Sequence, residues 1–175
     1  MDIKVFEKKD GGIIQLIKKE KMLEWPIELP LIFIEYIRNN QLKNYDDAKV
    51  KREIEEYLDE IMRDVAIPRL INVLEGENKE EIILALTRIE EISKKDVDMA
   101  KPIKKYLDNL LEKKDKDIIN LAQLISNNFI KADRRKELAK KRKIMQEKEK
   151  LFLDGKISGE EYAKARKDYL TLKEQ

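Results

Sequence analysis

Apolar positions along most of this chain return every third or fourth residue, the spacing that buries one face of a helix. Ile13, Leu16 and Ile17 set the first such stripe, extending toward Leu23. Trp25-Pro26 closes it, because the residue before a proline disfavours the α region. Pro30 suits the first turn of the next helix, where its missing N–H costs nothing. That helix runs through Leu31, Ile34 and Ile37 to Asn39-Asn40. Its other face carries Phe33 and Tyr36, so it is apolar on most sides and is expected at the centre of the core. Asp46-Asp47 offers an N-cap for a third helix. The stripe of that helix is Val50, Ile54, Tyr57, Leu58, Ile61 and Val65, with Lys51, Arg52, Glu53, Glu56 and Glu60 outside it. At the start of the chain, Ile3, Val5 and Phe6 precede a Lys8-Lys9-Asp10-Gly11-Gly12 turn and fit a short strand or a frayed arm equally.

From Ala66 the pattern echoes itself. A shift of 36 residues lays positions 66–74 over 102–110, Ile82-Ile83 over Ile118-Ile119, Ala85-Leu86 over Leu121-Ala122, and Ile89 over Ile125. Between the matched stretches, a polar turn at Glu77-Asn78-Lys79-Glu80-Glu81 falls on Lys113-Lys114-Asp115-Lys116-Asp117. Helices are therefore expected over 67–74, 82–92, 103–111 and 118–129, with Gly76 and Asn78 marking one turn and Pro102 opening the second unit. With the two preceding helices this makes about three helix pairs, close to the minimum for a stack in which each pair buries its face on the next.

Composition changes at Lys131. Over 131–150 lie ten basic residues against four acidic ones, Asp133, Glu137, Glu147 and Glu149. Leu138, Met145 and Phe152 recur every seven residues, with Ile144 and Leu151 beside them, which gives a narrow seam on a long helix. After Asp154-Gly155-Lys156, Ser158 and Glu161 form a capping box for a shorter helix whose stripe is Tyr162, Ala165, Tyr169 and Leu172. Two seams joined by a Gly turn predict an antiparallel helical hairpin. The fold expected is all-α: an arm over 1–12, a helical-repeat domain over 13–130, and a basic hairpin over 131–175.

The chain has 175 residues, of which 42% are hydrophobic and 42% charged, with 38 basic against 36 acidic side chains. Near-neutrality argues against bulk attraction to a polyanion. Mixed Lys and Glu with few Gly and Pro point to ion-paired helix surfaces of a kind enriched in thermophiles. Cysteine and histidine are both absent. That closes disulfide, thiolate and Cys-ligated zinc chemistry, and it removes the usual general base near neutral pH. Three serines lie outside any nucleophile elbow, and Gly11-Gly12 lacks the Lys-Ser/Thr of a phosphate loop. The turn at Gly155 has the outline of a calcium loop, but its first and third positions would be Lys150 and Phe152, which cannot ligate. The pairs Glu53/Glu56 and Glu77/Glu80 have magnesium-clamp spacing, yet so many acids produce such pairs by chance. No enzyme activity and no cofactor are expected. The charged start of the chain and the interrupted apolar stretch over 25–37 predict a cytoplasmic protein with no membrane span.

The matched units resemble HEAT and armadillo repeats in their Ile67-Pro68-Arg69-Leu70 opening, polar turn and Ile82-Ile83-Leu84-Ala85-Leu86 helix. The stretch 149–162, with Gly155-Lys156-Ile157-Ser158-Gly159-Glu160-Glu161-Tyr162, resembles the short C-terminal hairpin of the SHOCT type. The first resemblance implies an α-solenoid whose surface grips other macromolecules. The second implies oligomerisation or docking, and no activity. The expected function is a non-catalytic protein-interaction adaptor or small structural subunit. Its candidate contact residues are Arg134, Arg135, Lys140, Lys141, Arg142, Lys143, Tyr162 and Tyr169, although the two tyrosines also suit packing inside the hairpin. The partner expected is another protein with an acidic surface, with self-association through the hairpin beside it. Nucleic-acid binding through 131–150 is the rival, weakened by the lack of interleaved aromatics. Trp25, beside Pro26, is expected as a core plug.

Overall fold

Ile13-Ile14-Gln15-Leu16-Ile17, expected to begin a helix, forms a strand. The computed structural model describes residues 3–7 and 13–174, with side chains from Leu16 onward. In it β1 (Ile3–Glu7) and β2 (Ile13–Ile17) pair antiparallel, with Ile3 opposite Ile17 and Glu7 opposite Ile13. Three isoleucines in five positions explain the outcome, since β-branched side chains are stiff at χ1 and suit a pleated surface. Over so short a window the apolar spacing fits a strand as well as a helix. The strand-or-arm alternative for Ile3, Val5 and Phe6 is thus decided for the strand, while the turn at 8–12 lies outside the described residues. The Tyr57 hydroxyl anchors this hairpin by donating to the Ile17 carbonyl at 2.9 Å. Burial pushes the Tyr57 pKa upward, which keeps the hydroxyl a donor.

Beyond the hairpin the chain is helical. A 3-10 turn at Lys19–Glu24 buries Met22, and Arg69 donates to the carbonyls of Met22 (3.0 Å) and Trp25 at its end. Next come α1 (Leu29–Tyr36), with Pro30 in its first turn, a π turn at Ile37–Gln41, and a 3-10 turn at Leu42–Asn44. Asp47 caps α2 (Ala48–Ile61) by accepting from the Lys49 and Val50 N–H groups. Its predicted stripe is buried, including Val65 beyond its end. The helix does not stop there. A π turn at Met62–Ala66 carries it into α3 (Ile67–Leu74). Pro68 accounts for the widened turn, because it supplies no N–H to the carbonyl four residues back and its ring crowds that carbonyl. Asn78 caps α4 (Lys79–Lys95), and Asp96 caps the short α5 (Val97–Ala100). After a 3-10 turn at Lys101–Ile103 come α6 (Lys104–Leu111), α7 (Lys116–Leu153) and α8 (Gly159–Glu174). The protein is all-α, apart from the N-terminal strand pair.

The helices expected over 67–74, 82–92 and 103–111 are present, and the one expected over 118–129 is the first part of α7, which runs on unbroken to Leu153. In both stretches the aligned positions Ile67 and Ile103, Leu74 and Leu110, Ile82 and Ile118, Leu86 and Ala122, and Ile89 and Ile125 are buried. By its internal packing the chain divides into Met1–Ile125 and Ser126–Gln175, inside α7 and a little before the change in composition at Lys131.

The first unit holds a core built around Ile34, Ile54, Leu58, Ile61, Leu70, Leu86 and Ile89. In the second, α8 runs antiparallel to the later part of α7. Lys148 meets Glu161 at 4.0 Å, Lys141 meets Asp168 at 3.6 Å, and Arg134 donates to the Leu172 carbonyl at 3.4 Å. Gly155 ends α7 with φ +68°. There Lys156 N–H bonds the Leu151 carbonyl and Gly155 N–H bonds that of Phe152, the paired closure that favours glycine at the left-handed position. Ser158 Oγ then accepts from Glu161 N–H at 3.2 Å and opens α8, the first of the two bonds of the expected capping box, while the Glu161 carboxylate faces Lys148.

Candidate functional site

Helix α1 meets the central-core expectation on one face only. Leu31 and Ile34 are buried, but Ile32 is 50% exposed, and Leu29 and Tyr36 also face solvent. Trp25 is half-buried, its ring edge-on to Phe33 with centroids 5.8 Å apart, so it covers one flank of α1. Beside Ile32 lies a concavity of about 190 Å³ floored by Leu31, Ile34, Met62, Ile92 and Met99. It is smaller than the roughly 300–1,000 Å³ of ordinary small-molecule pockets, so it suits one or two apolar side chains better than a cofactor. Two flexible methionines in the floor let it adapt to more than one anchor.

The rim of this groove is charged and internally paired. Arg38 donates to Glu55 at 2.8 Å and to Asp59 at 2.6 Å. Arg88 donates to Glu28 and Glu91, each at 3.1 Å, and Lys95 reaches Glu35 at 3.6 Å. Its hydrogen bonds to Glu91 and Glu28 raise the Arg88 pKa further, so its charge is permanent. Both π turns border the groove, one supplying Arg38 and Asn39 and the other Met62. Such turns are rare and recur at functional sites. Sequence reasoning missed this groove. Its signal is that α1 is apolar on most sides, a pattern that points to the centre of the core and does not mark an uncovered face.

The residues singled out in the hairpin separate into two sets. Arg134 and Lys141 tie α7 to α8 through the contacts given above. Tyr162 stacks on Phe152 at 5.6 Å and donates to Glu149 at 3.3 Å, and Tyr169 is half-buried on the α8 stripe. Lys143 pairs with Glu147 along the helix at 3.9 Å. Arg135, Lys140 and Arg142 are exposed and make no ion pair with any described residue. The structure therefore brings Arg134, Lys141, Tyr162 and Tyr169 into the packing of the hairpin and leaves the other cations facing water.

Among the described residues no cluster of three or more acidic side chains could hold a metal ion. Glu53 and Glu56 are drawn to Lys49 and Arg52 instead, at 3.8 and 3.5 Å. No helix among the described residues is long and apolar enough to cross a membrane. No protein-family model matches the chain, and neither does any curated protein or solved structure.

Proposed function

We propose that the protein is a non-catalytic, cytoplasmic interaction adaptor: a short HEAT-like stack that reads a partner through the α1 groove, with a SHOCT-like hairpin offering a second surface. The observation that carries this reading is the groove itself. An exposed isoleucine beside an apolar floor, inside a ring of ion pairs, is the anatomy of a side-chain anchor site with a polar rim. A partner enters with one or two apolar side chains, and the rim keeps its own pairs. The burial shared between positions 67–89 and 103–125 supports the repeat part of the reading, and the Gly155 turn with the Ser158 cap supports the hairpin part.

The test is affinity capture with the full chain, comparing wild type, Ile32→Glu and Arg135→Glu/Arg142→Glu. A protein held in stoichiometric amounts by wild type, lost with Ile32→Glu, and rebinding as a purified component is the expected result. Identical captured sets from wild type and Ile32→Glu would exclude the groove as the reading surface.

A further inference from the structure

One surface of α7 carries a seven-residue pattern, and only its last unit, through the bond from Tyr162 to Glu149, is used by the hairpin. At about 100° per residue, Ala132, Ala139 and Gln146 fall in one line along the helix. Arg135 and Arg142 flank that line on one side, and Lys136, Lys143 and Lys150 on the other. The underlying unit is Ala132-x-x-Arg135-Lys136, then Ala139-x-x-Arg142-Lys143, then the variant Gln146-x-x-Glu149-Lys150. All five flanking cations are exposed. Arg135, Arg142 and Lys150 make no ion pair with any described residue, and Lys143 has only Glu147 at 3.9 Å. The second unit, 126–175, carries fifteen basic against nine acidic side chains, so this face keeps an excess of positive charge even though Glu147 meets Lys143 and Glu149 takes the arginine position in the third repeat of the pattern.

We propose that this face docks an acidic helix of a partner protein that places Asp or Glu at seven-residue spacing. The proposal rests on the hairpin half of the adaptor reading and specifies its partner. A heptad advances about 10.5 Å along a helix, and a helix packed alongside has the same period, so carboxylates in register meet Arg135/Lys136, then Arg142/Lys143, then Lys150. Arginine fits because its guanidinium accepts a carboxylate in a two-pronged geometry that lysine lacks. Between the two cation rows lie short or uncharged side chains, which let a second helix approach without burying a charge. Nucleic acid fits less well. Phosphates repeat at about 3.4 Å of rise per strand, so a heptad row misses most of them. No aromatic side chain lies on this face to stack a base.

The test is a titration of the full chain at low salt with a three-heptad helix-forming peptide bearing paired glutamates in register. A scrambled peptide of the same composition, and single-stranded and duplex oligonucleotides, serve as the comparison arms. The register peptide is expected to bind about tenfold tighter than the scrambled one, and Arg135→Glu/Arg142→Glu to lose about tenfold at unchanged melting temperature. Equal binding of the scrambled peptide, or no effect of the double variant, overturns the proposal. Tighter binding of either oligonucleotide also overturns it and reassigns the face to phosphates. Ile32→Glu leaves the peptide titration unchanged, so failure here is distinct from failure of the groove reading.

Discussion

Ile32 and Ile34 sit two residues apart on α1, one half exposed at the groove and the other with no exposed surface. Their chemistry is identical, so the difference between them is one of neighbours. Ile34→Ala removes buried methylenes from a packed site and is expected to cost about 2–5 kcal/mol. Ile32→Ala removes carbons that already meet water and is expected to stay within about 1 kcal/mol. Chemical denaturation of the two variants checks the pair, and equal losses would mean that the groove is closed in solution. This contrast was illegible in the sequence. Periodicity reports which residues are apolar, and for a helix apolar on most sides it cannot say which face is left uncovered. Residues with a single strong reason for their place were read correctly, as with Asp47, Ser158 and the stripe from Val50 to Ile61.

At the scale of elements, the sequence was reliable where a stripe ran through several turns and unreliable where it was short. The strand at Ile13–Ile17 is ambiguous in the sequence because five residues do not separate the two periods. The π turn at Met62–Ala66 could not be seen, since Pro68 announces a disturbance without saying whether the helix stops or widens. Another feature hidden from periodicity is the pair that joins the start of α4 to the start of α7, with Lys79 2.6 Å from Asp115. Asp115 also accepts from the N–H groups of Asp117 and Ile118. The Lys79 hydrogen bond, the largest cause, holds the Asp115 carboxyl below its usual value, and the same bond raises Lys79. A carboxyl whose pKa is lower in the folded state stabilises above its unfolded pKa, and that contribution disappears as pH falls through the folded value. The wild type is therefore expected to lose stability more steeply below about pH 4 than Asp115→Asn, which keeps the cap but cannot titrate. Denaturation midpoints between neutral and acid pH check this, and parallel acid limbs would remove the pair from the acid response.

Across the whole molecule, burial is unevenly distributed between the two units. In Met1–Ile125 the core residues of α4, such as Leu86 and Ile89, have no exposed surface. Helix α8, in the second unit, contains no buried residue at all. Its attachments are half-buried side chains, the Tyr162 ring stacked on Phe152, two charged contacts at 3.6 and 4.0 Å, one bond from Arg134 to a carbonyl and one from Tyr162 to Glu149. Exposed ion pairs of this kind are worth about 0–1 kcal/mol each, far less than buried apolar area. Opening α8 should therefore need much less free energy than opening α4, although both are well-formed helices. The thinness of this attachment is not legible in the sequence, because the stripe of Tyr162, Ala165, Tyr169 and Leu172 reads like any buried face. Native-state hydrogen exchange checks the expectation residue by residue. Amides of α8 should exchange through low-energy local opening, while those around Leu86 and Ile89 exchange only near the global unfolding limit. Lys141→Ala should speed exchange in α8 and leave α4 unchanged. Protection of α8 equal to that of α4 would show that the hairpin unfolds only with the core, which its half-exposed seam does not account for.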